Sequence, residues 1–385
     1  MTERHDVLII GAGVVGCSVA FHLTRLGVRR VAIVERERVP ASGSTSKANG
    51  GIRAQFTTQV NVEMSLRSMD ILDELAPVIG EPPIYRRAGY LFFTASPERL
   101  AAMGRAVAFQ RSLGVPVELL AGDEVRRRAP FVEAADLVGG TFGPRDGFID
   151  PEALAGFFLR EAVRAGVDVA YGAEVRAISR TPSGAFVVTT TAGEREAGIV
   201  VDAAGPWAAS VAALAGVDLP VVPVRRHLLL TGPCPALPAT IPMTIDADTG
   251  ILIRREGGRV LVAYSNPDEP AGFVTEFDTS FPERIAEPFE RRFPLVAAAG
   301  LDLRRSWAGL YEVTPDHHAV LGPAEDVPGF FFVNGFSGHG IMHAPAAGEA
   351  VAQWIAGGRA SSVDVAPLSP GRFARGEGIH ESMVL

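Results

Sequence analysis

Three clusters of residues have the types and spacing to do chemistry. The first is Gly11-Ala12-Gly13-Val14-Val15-Gly16, a G-x-G-x-x-G run placed directly after an apolar stretch, Asp6 to Ile10, that reads as a buried strand. Gly11 can make the tight turn, Gly13 can let a pyrophosphate reach the backbone, and Gly16 can let a helix pack close to the strand. The helix that starts there offers free N–H groups and a positive dipole end to phosphates. Glu35 follows nineteen residues after Gly16, at the end of a second strand, with Arg36 beside it. A carboxylate there accepts ribose hydroxyls and repels a 2′-phosphate. These residues together predict a dinucleotide site that disfavours NADP.

The second cluster is the stretch after Glu35, RERVPASGSTSKANGGIRAQFTT. A nicotinamide-binding domain would normally run straight on into another helix and strand. Here Ser44, Thr45, Ser46, Asn49, Gly50 and Gly51 form a long run of small residues instead. Such a density of hydroxyls and amides suits a second length of phosphate, a ribityl chain and a ring. A surface loop has the same composition, but this one leads into Arg53 and a helical pattern, NVEMSLRSMDILDEL, and a loop anchored at both ends tends to have a function. The third cluster is NGFSGHGIM, Asn334 to Met342, whose glycines allow the backbone to approach something flat or charged.

The elements that must position these clusters can be read around them. CSVAFHLTRLG is apolar at helical spacing and closes on Gly27, and Val31 to Val34 reads as a strand, so the N-terminus is a βαβ unit. Asp150 and Pro151 read as the N-cap and first residue of another helix. YRRAGYLFFTAS, PVRRHLLLTG and GILIRREGGRVLVAY are strand-rich, and PERIAEPFERRFP is helical. From Ser361 onward apolar periodicity is lost, which predicts a surface tail.

Composition narrows the function. The net charge of -8 has no block of like charge, which argues against nucleic acid or an anionic membrane as the main partner. Cys17 and Cys234 form no C-x-x-C pair, so neither a disulfide framework nor a zinc site is expected, and Asp316-His317-His318 lacks further ligands at metal-binding spacing. The apolar start is too short to span a bilayer and has no signal-peptide cleavage site, so a cytoplasmic protein is expected.

In the βαβ unit with Glu35, the STSKANGGIR loop, VVDAAGPWAASVAALAG, RRSWAGLYEVTPDHHAVLGP and VNGFSGHGIMHAPAAGEAVA, the chain resembles the D-amino-acid-oxidase-like flavoproteins. Within them it is most similar to the sarcosine oxidase, glycine oxidase and dye-linked proline dehydrogenase branch. The resemblance implies an α/β architecture in which a Rossmann-like FAD-binding domain of the glutathione-reductase-like type is interleaved with a mixed-sheet substrate domain. The FAD domain would take 1–84, 144–219 and 307–365, the substrate domain 85–143 and 220–306, and a tail 366–385. The backbone at Val175 would face the adenine, and Ala204, Gly205 and Trp207 would pass near the cofactor. Gly335, Ser337, Gly338, His339, Gly340 and Ile341 would close over the isoalloxazine ring, with glycines there so that no side chain pushes the ring away.

The activity implied is oxidation of the C–N bond of a proline-, sarcosine- or glycine-like amino acid, with hydride passing to flavin N5 and an imine as product. Such a site needs an arginine, because its planar fork pairs bidentately with a carboxylate. Arg53 is the first candidate, at the position where related enzymes carry a substrate-facing arginine. Of Arg225 and Arg226, strand alternation sends one inward, and Arg254 and Arg255 are similar. Tyr311, Tyr90, Tyr264 and His339 complete the candidates, each open to a packing role instead. Gly309 stands where some sarcosine oxidases attach FAD through cysteine, so non-covalent FAD is expected. Met342 replaces a carboxylate-binding lysine, which moves that task elsewhere. Lys47 is the single lysine; an oxygen-activating lysine is therefore not expected, and the reading leans to a dehydrogenase passing electrons to a quinone or protein, with O2 left open. A non-catalytic flavoprotein scaffold, or a non-amine substrate, is the alternative.

Overall fold

The computed structural model describes residues 3–80 and 83–381. Four apolar runs, at Val7–Ile10, Val31–Val34, Val200–Val201 and Phe330–Val333, are the cores of parallel strands buried on both faces. The strands Val175–Arg180, Phe186–Thr190, Gly193–Asp202, Glu3–Ile10, Val31–Glu35 and Asp168–Tyr171 lie side by side in that order, with Phe330–Asn334 also bonded to Gly193–Asp202. Because the central pairs are parallel, Ile10, Glu35, Asp202 and Asn334 all end at one edge of the sheet. Ligands of such sheets bind outside that edge. The helices Val14–Arg25, Pro151–Arg164 and Gly340–Gly357 cover one face. Gly348 lets the last of them lie directly on Ser18 of the first.

A second sheet holds the strands Trp307–Val313, Val222–Leu230, Arg259–Tyr264, Leu252–Glu256, Met243–Asp246, Tyr90–Thr94, Gly139–Gly143 and Glu118–Ala121. It is mixed, since Met243–Asp246 runs parallel to Tyr90–Thr94 while its neighbours are antiparallel. One face is sealed by Phe281, Phe289 and Phe293. The other presents Tyr90, Leu252 and Leu228 toward the first sheet. A three-stranded ribbon of Gly51–Ile52, Gly147–Ile149 and Tyr85–Arg86 joins the two. No helix among the described residues is long and apolar enough to cross a membrane.

Two expectations are corrected. The FAD segment drawn from 307 starts too early: Trp307–Val313 is the edge strand of the second sheet, in register with Val222–Leu230. The segment after Ser361 is not a surface tail. Val363, Val365 and Leu368 are buried, and Arg372, 1% exposed, gives Nε to Asp316 at 2.8 Å. Glu381, also 1% exposed, accepts from the Thr57 amide at 3.0 Å and from Asn61 Nδ2 at 3.2 Å. Polar bolts of this kind leave no apolar period in the sequence. His317 is a turn residue, with φ of 58°. His318 is more than that: it is buried, with Nε2 2.9 Å from Thr58 Oγ1.

Candidate functional site

The strand ends of the first sheet and the exposed face of the second enclose a cleft of about 960 Å³. That is at the upper end for small-molecule sites. A smaller pocket of about 70 Å³ adjoins it and shares Asn49, Tyr264, Tyr311 and Gly338 with it.

The glycine turn separates into two kinds of glycine. Gly11 has φ of 111°, and a Cβ there would lie 2.5 Å from the Ala203 carbonyl oxygen. A Cβ at Gly16 would strike the Gly11 carbonyl. Both are required by the protein's own packing. Gly13 is not: a Cβ would meet only Thr45 Oγ1, at 3.4 Å, and the residue faces the cleft. A bare backbone kept open toward a cavity fits a pyrophosphate. Glu35 is buried and accepts from the Ala12 amide at 2.7 Å and the Glu37 amide at 2.8 Å, so it ties the turn to the second strand while lining the cleft. Arg36 stacks on Trp207, its guanidinium carbon 4.3 Å from the ring centroid, and Trp207 stacks in turn on Phe273 at 5.7 Å. Val175, Ala204 and Gly205 line the same end, with Val14 and Val15.

The small-residue loop contains one helical turn, Ser44–Lys47. Its polar side chains also hold the loop itself together. Ser44 Oγ donates to the Leu310 carbonyl at 2.7 Å, Thr45 Oγ1 accepts from the Val14 amide at 3.1 Å, and Asn49 Oδ1 accepts from the Gly51 amide at 2.9 Å. Ser46 Oγ lies 3.3 Å from the Ser42 and Gly43 carbonyls. The hydroxyls hold the loop, and the loop lines the cleft with Ser44, Thr45 and Asn49. Ala12, Gly16, Ser46 and Gly335 line neither cavity. They are spent on backbone bonds or close packing; Gly335, for instance, sits against Thr314. Gly309 and Gly340 line the larger cleft, Gly50, Gly51, Ser337 and His339 the smaller pocket, and Ile341 both.

All five candidates for substrate chemistry, Arg53, Tyr90, Tyr264, Tyr311 and His339, line the smaller pocket. Met342 is beside them, and among the described residues no carboxylate lines it. Arg53 is 1% exposed. Its Nη1 donates to the Gln55 carbonyl and its guanidinium carbon is 3.9 Å from the Phe56 ring centroid. Gln55 is fixed by Asp146, which accepts its Nε2 at 2.8 Å and the Ala54 amide at 3.0 Å. Burial lowers the pKa of Arg53 and raises those of Tyr90 and Tyr311. Burial, with Arg53 nearby, pushes His339 well below the usual histidine range. His339 also packs edge-on to Phe56, 4.9 Å between centroids.

Other residues separate cleanly. Arg225 pairs with Glu269 at 2.6 Å, whereas Arg226 lines the cleft. Arg254 and Arg255 line neither cavity; they bond Glu256 and the Cys234 carbonyl. Lys47 lines the cleft, its stem against Gly309. Sequence reasoning also missed a buried acid pair. Asp202, whose Oδ1 accepts from the Ala204 amide at 3.0 Å, is pushed up to about 8 by burial and by Glu312, and Glu312, which lines the cleft, to about 7 by burial. VVDAAGP offered the Asp202 signal: a lone acid ending an apolar strand. Among the described residues one group could hold a metal, Glu3, His5 and Asp168, near the start of the first strand and outside the cleft.

Comparison with known proteins accounts for this arrangement. The model of the DAO family, FAD-dependent oxidoreductases, matches residues 6–354. The chain is 33% identical over 434 residues to FAD-dependent oxidoreductase domain-containing protein 1 of Bos taurus, with 100% of this chain and 87% of that protein covered. It is 27% identical over 391 residues to mitochondrial dimethylglycine dehydrogenase of Rattus norvegicus, covering 97% of this chain and 45% of that protein. Its fold is similar to the crystal structure of L-proline dehydrogenase from P. horikoshii, with a TM-score of 0.90, 28% identity, and 98% and 99% of the two chains covered. The open glycine turn, the buried Glu35 and the long cleft are what an FAD site requires, and the chain belongs to the DAO family of FAD-dependent oxidoreductases.

Proposed function

We propose that this protein oxidises the C–N bond of an amino acid or N-alkyl amino acid to an imine. One observation carries the reading: the pocket next to the flavin cleft holds a buried guanidinium and three tyrosines but, among the described residues, no carboxylate. Such a lining favours an anionic substrate with a small apolar body. The similarity to proteins named dimethylglycine dehydrogenase and L-proline dehydrogenase supports it.

When bound, FAD would supply the acceptor for a hydride from a carbon next to the substrate nitrogen. The chain's residues do the rest. Arg53 grips the carboxylate with paired N–H donors, a contact strengthened by its burial. Tyr90 and Tyr311 remain protonated phenols and serve as further donors. Burial keeps His339 neutral, so it adds no cation beside the substrate amine. Met342 keeps the pocket apolar where a lysine would add charge. FAD is held without a covalent bond: Gly309 has no side chain, and Cys17 and Cys234 are buried away from the cleft lining. Acid precipitation should leave the flavin in the supernatant.

The test is turnover with an artificial electron acceptor and trapping of the carbonyl product. Proline, sarcosine or glycine should yield the carbonyl compound expected of imine formation, retained on the chain for the cyclic amine. Acceptor reduction without any such product would remove the assignment.

A further inference from the structure

Arg225 and Arg226 are neighbours on the strand Val222–Leu230 with opposite surroundings. Arg225 gives Nε to Glu269 at 2.6 Å and Nη1 to the Glu276 carbonyl at 2.9 Å. Arg226 turns into the cleft, its guanidinium carbon 5.3 Å from the Tyr311 ring centroid. Its Nη1 donates to the Arg225 carbonyl at 3.0 Å, and its Nε is buried without a hydrogen-bond partner among the described residues. The acid that acts on it is Glu269, which already serves Arg225. Arg226 is half-buried, and a partly desolvated guanidinium that shares its acid with Arg225 gains from an anionic partner. This one is kept where a ligand can reach it.

The place of Arg226 says which ligand. In the sheet it lies opposite Gly309, and the next residue, His227, lies opposite Tyr264. It therefore stands at the substrate end of the cleft, among the strands that carry Tyr311 and Tyr264. The phosphates belong at the other end, by Gly13. Lys47 packs over Gly309, with its Cβ 2.5 Å from where a Cβ of Gly309 would be, and lines the same cleft. Arg53 and Arg226 are both charges that act on the Tyr311 hydroxyl. Glu312 is the acid of the cleft on this strand, and it is turned toward Gly205.

We propose that Arg226 binds a second anionic group of the substrate, so that the substrate is an N-substituted or cyclic amino acid carrying a further carboxylate. This rests on the function proposed above: Arg53 takes the α-carboxylate, Arg226 the distal one, and the C–N bond lies between them.

The holoenzyme can be titrated with unreactive acids while the flavin absorption band is followed. Glutarate should perturb the band at concentrations at least about tenfold lower than butyrate, the margin of one charge-assisted bond. In Arg226→Gln that preference should collapse, and Arg226→Lys should keep most of it. Among substrates, the kcat/KM of N-methylaspartate should exceed that of N-methylalanine, and Arg226→Gln should erase the difference. Equal binding of the two acids by the wild type, or a preference that survives in Arg226→Gln, would overturn the proposal. If no amine reduces the flavin but the glutarate preference is present and lost on substitution, the anion site stands and only the amine reaction fails. If amines are oxidised with no such preference, Arg226 is excluded and the amine reaction stands.

Discussion

A side chain on Gly338 would land in the ring of Tyr311. The C-terminal loop and the strand Trp307–Val313 therefore fix one another, and the ring they fix borders both the cleft and the smaller pocket. The Tyr311 ring by itself requires this glycine to be bare. Its φ of 97° adds a second reason, because an L side chain is strained there by about 1–2 kcal/mol. Gly338→Ala should displace Tyr311 and lower kcat/KM by about 10- to 100-fold, the scale on which a small misplacement acts, while bound flavin is retained. Steady-state kinetics at equal flavin content would show it, and wild-type values would mean that Tyr311 is a packing residue only.

Arg53→Met keeps bulk and removes the guanidinium from the smaller pocket. The loss of charge-assisted bonds, about 1.5–3 kcal/mol, should cost about 10- to 100-fold in kcat/KM for an amino acid. An amine without a carboxylate should show little change between the two proteins. Equal losses for both compounds would make Arg53 structural.

Gly13→Val places a branched side chain in the space that the protein leaves open toward the cleft. Because nothing but Thr45 Oγ1 touches that space, the fold should survive and flavin binding should not. Circular dichroism together with the flavin-to-protein absorbance ratio tests both halves. A yellow, stoichiometrically loaded variant would place the pyrophosphate elsewhere.

The acid pair gives a pH dependence with a definite sign. Asp202 is raised from 3.8 to about 8. A raised carboxyl contributes stability in full below its ordinary value and loses it as pH rises through the folded value. The Tm of the apoprotein should therefore fall between about pH 4 and about pH 8 on account of this group. Asp202→Asn keeps an oxygen for the Ala204 amide and stays neutral, so its Tm should fall less across that window. Parallel pH profiles for the two proteins would remove the buried charge from the account.

Much of this site was legible because it rests on local backbone demands. The glycine turn, Glu35 at a strand end and the helix closing on Gly27 each follow from a few adjacent residues, and the structure reproduces them. Strand alternation required one of Arg225 and Arg226 to turn inward, and the fold decides that it is Arg226. What was hidden depends on pairings between distant segments. Nothing adjacent to Ser44 reveals that its hydroxyl serves Leu310, and nothing near Glu381 reveals Asn61. Trp307–Val313 reads as part of the segment that follows it, yet its hydrogen bonds go to Val222–Leu230. Lys47 lies far from Gly309 in the sequence, and only the fold brings the two together.

The account stands most directly on whether an amino acid reduces the bound flavin. The decisive measurement is anaerobic mixing of the flavin-loaded protein with amino acids and N-alkyl amino acids, beside the corresponding amines that lack a carboxylate, while the visible flavin band is followed. The account predicts that the band bleaches with a carboxylate-bearing amine and persists with its decarboxylated counterpart. A band that never bleaches with any amine, or bleaches equally well without the carboxylate, would contradict it.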